Sequence, residues 1–145
     1  MPFVSVTRLH LASRWFFPQF LFYALASSKH ARRSPGFLTG WVSNDGQSSF
    51  WTSTVWESLE AMRAFRNSGA HRKAMPKLLH WCDEASYIHW EQSEASAPDI
   101  DAAFDRLSRE GKTSKVNKPS ARHQAGHTVS DVRPRAMQQL KKIDA

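Results

Sequence analysis

A chain of 145 residues with 41% hydrophobic content can bury one real core but is too short for two large domains. Its formal charge of +7 divides into +5 over residues 1–90, −4 over 91–110 and +6 over 111–145, a diffuse excess unlike the concentrated stripe of a nucleic-acid binder. The single cysteine, Cys82, excludes an internal disulfide and any zinc site built on paired thiols, so the cytosol is the expected compartment.

Residues 3–11 alternate as a strand does, Val4 and Val6 facing one way and Phe3, Ser5, Thr7 and Leu9 the other. The run 15–26, WFFPQFLFYALA, is shorter than the roughly 20 apolar residues that cross a bilayer, and Pro18 and Gln19 interrupt it. It is expected to be a buried helix, capped by Ser13, starting at about residue 14 or 18 and ending near residue 31 on Lys29, His30, Arg32 and Arg33. Those cations suit the negative pole of the helix dipole. Ser34-Pro35-Gly36 then makes a turn.

Two strands follow, over residues 37–43 and 48–57, joined through Asn44-Asp45-Gly46-Gln47, whose residue types accept the left-handed conformations of a tight hairpin. The second carries Phe50 and Trp56 on one face and Trp51 and Val55 on the other, so neither face is expected to meet water. A helix is to cover one face and a partner subunit the other.

Ser58 caps the next helix, in which Leu59, Met62 and Phe65 point at the sheet. After Asn67-Ser68-Gly69, residues 70–83 form a further helix with Met75, Leu78, Leu79 and Cys82 on one stripe, kinked or restarted at Pro76. Cys82 is then a small buried hydrophobe, while Asp83 and Glu84 end the helix in solvent. Residues 86–91 supply a fourth strand.

The order β-α-β-β-α-β describes an α+β, ferredoxin-like unit over residues 1–92. Residues 93–110 add a short acidic amphipathic helix, with Ile100, Ala103, Phe104 and Leu107 on its apolar side. Residues 111–145 form a basic, mostly irregular tail. The apolar second face of the sheet favours burial against another copy, hence a homodimer.

The strand end Thr54-Val55-Trp56-Glu57-Ser58, the helix through Ala61-Met62-Arg63-Ala64-Phe65-Arg66-Asn67-Ser68, and then Ala70-His71 resemble the antibiotic-biosynthesis-monooxygenase superfamily of dimeric α/β barrels. Residues 49–91 look like one of its uncharacterised bacterial groups, and Pro35-Gly36-Phe37 after an aromatic helix bears a fainter likeness to carotenoid monooxygenases. The resemblance implies a homodimeric barrel that binds a hydrophobic or aromatic small molecule, as an oxygenase without cofactor or with haem, or as a ligand-binding or structural dimer without catalysis. In the haem-degrading branch His71 would be the axial ligand. That branch has asparagine in the first strand and tryptophan in the second helix, where this chain has Thr7 and Phe65, and His71 arrives about one helical turn early.

His71 is therefore the candidate catalytic residue, able to act as general base or, with haem, as metal ligand, because its ordinary pKa near 6.5 permits both. It could equally bond a neighbouring carbonyl at a helix start. Trp51, Trp56, Phe65, Asn67, His89 and Trp90 are the candidate pocket residues, since aromatic rings on sheet and helix can hold a flat apolar ligand; the same rings would also serve as plain core. No histidine pair has zinc-site spacing, and His10, His30 and His80 are expected at exposed or helix-end positions. Arg63, Arg66, Arg72 and Lys73 could steer an anion. The tail lacks stacking aromatics and any DNA-binding motif, so nucleic acid is not the expected partner, and the short, interrupted run 15–26 makes a membrane equally unexpected.

Overall fold

A computed structural model of the chain describes residues 1–144. In chain order it comprises β1 (Phe3–Leu11), a 3-10 turn (Arg14–Phe16), α1 (Phe17–Arg33), β2 (Phe37–Asn44), β3 (Ser49–Trp56), α2 (Leu59–Arg66), α3 (Gly69–Trp81) and β4 (Cys82–Glu91). Then come α4 (Ile100–Glu110), β5 (Lys112–Thr113), α5 (Ala121–Gln124) and β6 (Met137–Lys141). The strands form one antiparallel sheet in the order β5-β4-β1-β3-β2-β6. Its inner four strands, β4-β1-β3-β2, with α1 and α2–α3 as the connections, are the ferredoxin-like α+β unit that the sequence predicts.

Local chemistry sets the element ends. Ser13 accepts from the Trp15 amide before α1, and Ser58 accepts from the Ala61 amide to start α2. Gly36 has φ +86, and a Cβ there would lie 2.6 Å from that of Ala61, so only glycine lets the chain pass this close to α2. In the β2–β3 hairpin the buried Asp45 carboxylate accepts from the amides of Gln47 and Ser49, while Gly46 and Ser48 take positive φ.

The helical side of the sheet buries Phe3, Phe37, Trp56 and Met62 beneath α1 and α2. Leu11, Phe20, Trp81 and Cys82 form a second cluster on that side. On the opposite side Val4, Val6, Trp41, Trp51, Val55 and Ile88 pack under Ala103 and Leu107 of α4. The face expected to meet a partner subunit is thus covered by the chain's own acidic helix, whose N-terminus Asp99 caps through the Ala102 amide.

Several expectations need correction. Helix α3 runs through Pro76 without interruption and ends at Trp81, so Cys82 opens β4 and does not lie on a helical stripe. The backbone of β1 captures residues 82–91, and that pairing outweighs the helical spacing of Leu78, Leu79 and Cys82. Asp83 and Glu84 are strand residues in consequence. Helix α1 is not a buried helix, for only Phe20 and Ala31 are buried, while Trp15, just before it, and Phe22 are 75% and 67% exposed. The tail is irregular over much of its length, yet it lays β6 beside β2, adds β5 to β4 and buries Val116, Thr128 and Leu140.

Candidate functional site

On the helical side, Trp56 is fully buried and its indole N–H donates to Thr54 Oγ1 at 2.9 Å. Phe65 of α2 stacks on it with ring centres 5.1 Å apart and planes at 26°. The imidazole ring centres of His71 and His30 lie 4.9 and 5.3 Å from that of Phe65. His71 Nδ1 is 3.3 Å from the Arg66 carbonyl, so this nitrogen carries the proton and donates, and Nε2 keeps its lone pair. Burial is the main cause that holds His71 below its ordinary pKa, with the charges of Arg66 and His30 acting the same way and the carbonyl bond opposing.

His89 sits on β4, its ring 5.3 Å from Phe3 and 5.1 Å from Tyr87. Burial lowers its pKa too, followed by the charges of Arg66, Arg63 and Lys112. The Arg66 guanidinium therefore bears on both imidazoles, which are kept neutral at physiological pH. Of the predicted site residues, Trp56, Phe65, His71 and His89 belong to this side of the sheet. Trp51 and Trp90 lie on the other, Trp51 stacked on Phe104 at 5.8 Å and Trp90 beneath the Arg106 guanidinium at 4.2 Å. Asn67 is exposed and terminates α2 with its backbone.

Beside β4 runs an open groove of about 410 Å³, lined by Tyr87, Ile88, His89, Trp90, Arg106, Glu110 and Lys112. It exists because β5 pairs only with Ser86 and Tyr87, leaving the strand edge beyond them free of that neighbour. Its size falls in the range of small-molecule sites, and it joins aromatic walls to Lys112 and to an Arg106 guanidinium that donates to Glu110 at 3.1 Å.

The second polar centre was not foreseen. Arg8, 1% exposed, donates to Glu84 Oε1 at 2.9 Å and to Ser49 Oγ at 3.0 Å, and Ser120 from the tail donates to Glu84 Oε2 at 2.9 Å. Burial would raise the Glu84 pKa, but the hydrogen bonds of Arg8 and Ser120 and the charges of Arg8 and His10 together bring it below the ordinary value. His10, expected to be exposed, is half-buried and lies 2.6 Å from Asp83. One signal was available: an arginine in line with Val4 and Val6 on a strand requires a buried carboxylate. Ligand atoms of His10, Asp83 and Glu84 lie within 4.8 Å of one another. Both Glu84 oxygens are taken, however, and the guanidinium charge opposes a cation, so this is an ion-pair network.

Haem does not fit at His71. The Nε2 lone pair suits an axial ligand, but the His71 ring is packed on Phe65, which itself lies against Trp56 and His30, where a haem would need open space. The groove along β4 is not lined by His71 either.

The architecture defines the class as an antibiotic-biosynthesis-monooxygenase-like fold. Rv0793 from Mycobacterium tuberculosis superposes with a TM-score of 0.59 at 12% identity, over 66% of this chain and 100% of that one. SnoaB, a cofactor-independent oxygenase from Streptomyces nogalater, gives 0.53 at 15% identity, over 68% and 98%. A candidate antibiotic biosynthesis monooxygenase from Deinococcus radiodurans gives 0.56 at 20% identity, over 68% and 99%. Within that class the chain belongs to the family described as Domain of unknown function (DUF3291), whose model matches residues 19–117 and so takes in α4. No curated protein matches.

Proposed function

We propose that the protein binds a small aromatic or hydrophobic molecule bearing an acidic group, in the groove along β4, and that His89 is the base that lines it. The observation that carries this reading is His89: a half-buried imidazole, held neutral, that lines the groove, touches Phe3 and Tyr87, and lies within the field of Arg63, Arg66 and Lys112. A phenol or enol seated there would donate a hydrogen bond to the neutral imidazole, and the neighbouring cations would stabilise negative charge developing on its oxygen. A ring made electron-rich in this way is more open to attack by dioxygen, and the fold neighbour from Streptomyces nogalater is described as a cofactor-independent oxygenase.

The test is calorimetric titration with phenols, enols and aromatic acids, followed by oxygen consumption with whichever binds. His89→Ala and Arg106→Ala are expected to weaken binding by an order of magnitude, and His71→Ala, outside the groove, to leave it unchanged. Binding without oxygen uptake would leave a ligand-binding module, and no binding at all would leave a structural role. Addition of haemin is expected to produce no Soret shift that His71→Ala alters. The homodimer implied by the resemblance loses its original motive, because α4 covers the second sheet face.

A further inference from the structure

We infer that the outer face of α1, rimmed by cations from α1 and α3, docks the protein on an anionic membrane surface. Among the described residues, eight large hydrophobic side chains are exposed, and five of them, Trp15, Phe17, Leu21, Phe22 and Leu25, lie on α1 or the turn before it. At 100° per residue, Leu21, Phe22 and Leu25 share one arc of the helix with Lys29 and Arg32, away from the buried Phe20 and Ala31, while Phe17 lies at the edge of that arc and also stacks on Phe50. This is a continuous apolar stripe, unlike the scattered single residues that any surface carries.

Charge identifies what covers it. Residues 14–33 and 63–81 contain no aspartate or glutamate, so α1, α2 beyond Glu60 and all of α3 present cations alone. Lys77 of α3 lies over the Tyr23 ring at 5.3 Å, and Tyr23 meets Phe22 edge-on at 5.4 Å, which fixes this cation beside the stripe. Arg14 sits against Trp15 at 5.4 Å. Next to the stripe a groove of about 190 Å³ has Leu25, Val42, Leu140 and Ile143 in its lining and Lys29 and Arg32 beside them, an arrangement suited to a lipid headgroup above apolar chain. A second copy is a poor occupant, because a two-fold contact through this face would oppose Lys29, Arg32 and Lys77 to themselves. No helix is long and apolar enough to cross a membrane, so the mode is a helix lying in the interface, its apolar side sunk about 5–10 Å below the headgroups.

The experiment is co-sedimentation of the full chain with vesicles of phosphatidylcholine alone and of equal parts phosphatidylcholine and phosphatidylglycerol. Binding is expected only to the anionic vesicles and is expected to fall with added salt. Trp15→Ser with Phe22→Ser should abolish it, and Lys29→Glu or Lys77→Glu should each weaken it about five-fold or more. Circular dichroism melts should match the wild type, since the replaced side chains are exposed. The idea is overturned if the chain stays in the supernatant with anionic vesicles or if binding ignores both sets of substitutions. It is overturned equally if the Trp15 and Phe22 changes convert an oligomer to monomer while lipid binding was never present.

Discussion

Arg8 and Glu84 illustrate what a single residue decides. Arg8→Met leaves the Glu84 carboxylate buried beside only Ser120, and urea unfolding is expected to show a loss of about 3–5 kcal/mol. The double change Arg8→Met with Glu84→Leu should recover most of it, since no charge is then stranded. Cys82 is the opposite case, an inert group. Burial, and after it the Asp83 charge, pushes its thiol up to about 12, so iodoacetamide at pH 8 should leave the native protein unlabelled and modify it only in denaturant. The imidazoles carry a pH signature. His71 and His89 have folded pKa values below the ordinary 6.5, so the unfolded chain binds more protons as pH falls below 6.5 and stability drops. Glu84, lowered from 4.5, adds a second loss below about that pH, when its ion pair is protonated. Urea midpoints across pH 4 to 8 should show both stages, and His71→Gln with His89→Gln should flatten the first.

At the scale of elements, α4 determines how the second sheet face is satisfied. Leu107 is fully buried against it, and Leu107→Ala is expected to cost about 2–5 kcal/mol in a urea melt. The strands of the inner sheet were legible because alternation in β1 and the double apolar pattern of β3 have only one geometric reading. The end of α3 was not, since Leu78, Leu79 and Cys82 suit a helical stripe while Glu84, Ser86 and Ile88 suit a strand face, and sequence alone does not rank the two. For α1 the difficulty was orientation. A helix with aromatic residues on every side has no polar face to mark its outside, and the structure turns Phe20 inward and Phe22 outward. As for the site, residue types near His71 and His89 were readable, but the sorting of Trp51 and Trp90 to the far face depends on strand register. The β4 groove depends on how little of that edge β5 covers.

For the molecule as a whole, the single large consequence is that both sides of the sheet are closed within one chain. Light scattering at micromolar concentration is expected to give a monomer, whereas Ala103→Asp, which drives α4 off its seat, should expose Val6, Trp41 and Trp51 and bring on self-association. A stable dimer of the wild type would mean that the chain associates through another surface. The β4 edge is the leading alternative, because its backbone beyond Tyr87 has no neighbour in β5.

Strand β6 pairs Gln138 to Lys141 with β2 residues that are made long before it, Thr39 to Val42. During translation the outer edge of β2 must therefore wait, with its amides and carbonyls unpaired, until the distant β6 segment has also left the ribosome. That interval makes nascent chains vulnerable to edge-to-edge association, and the long return that closes it predicts a slow last phase in refolding, one that Gln139→Pro would impair while leaving the earlier assembly of β1, β3 and β4 untouched.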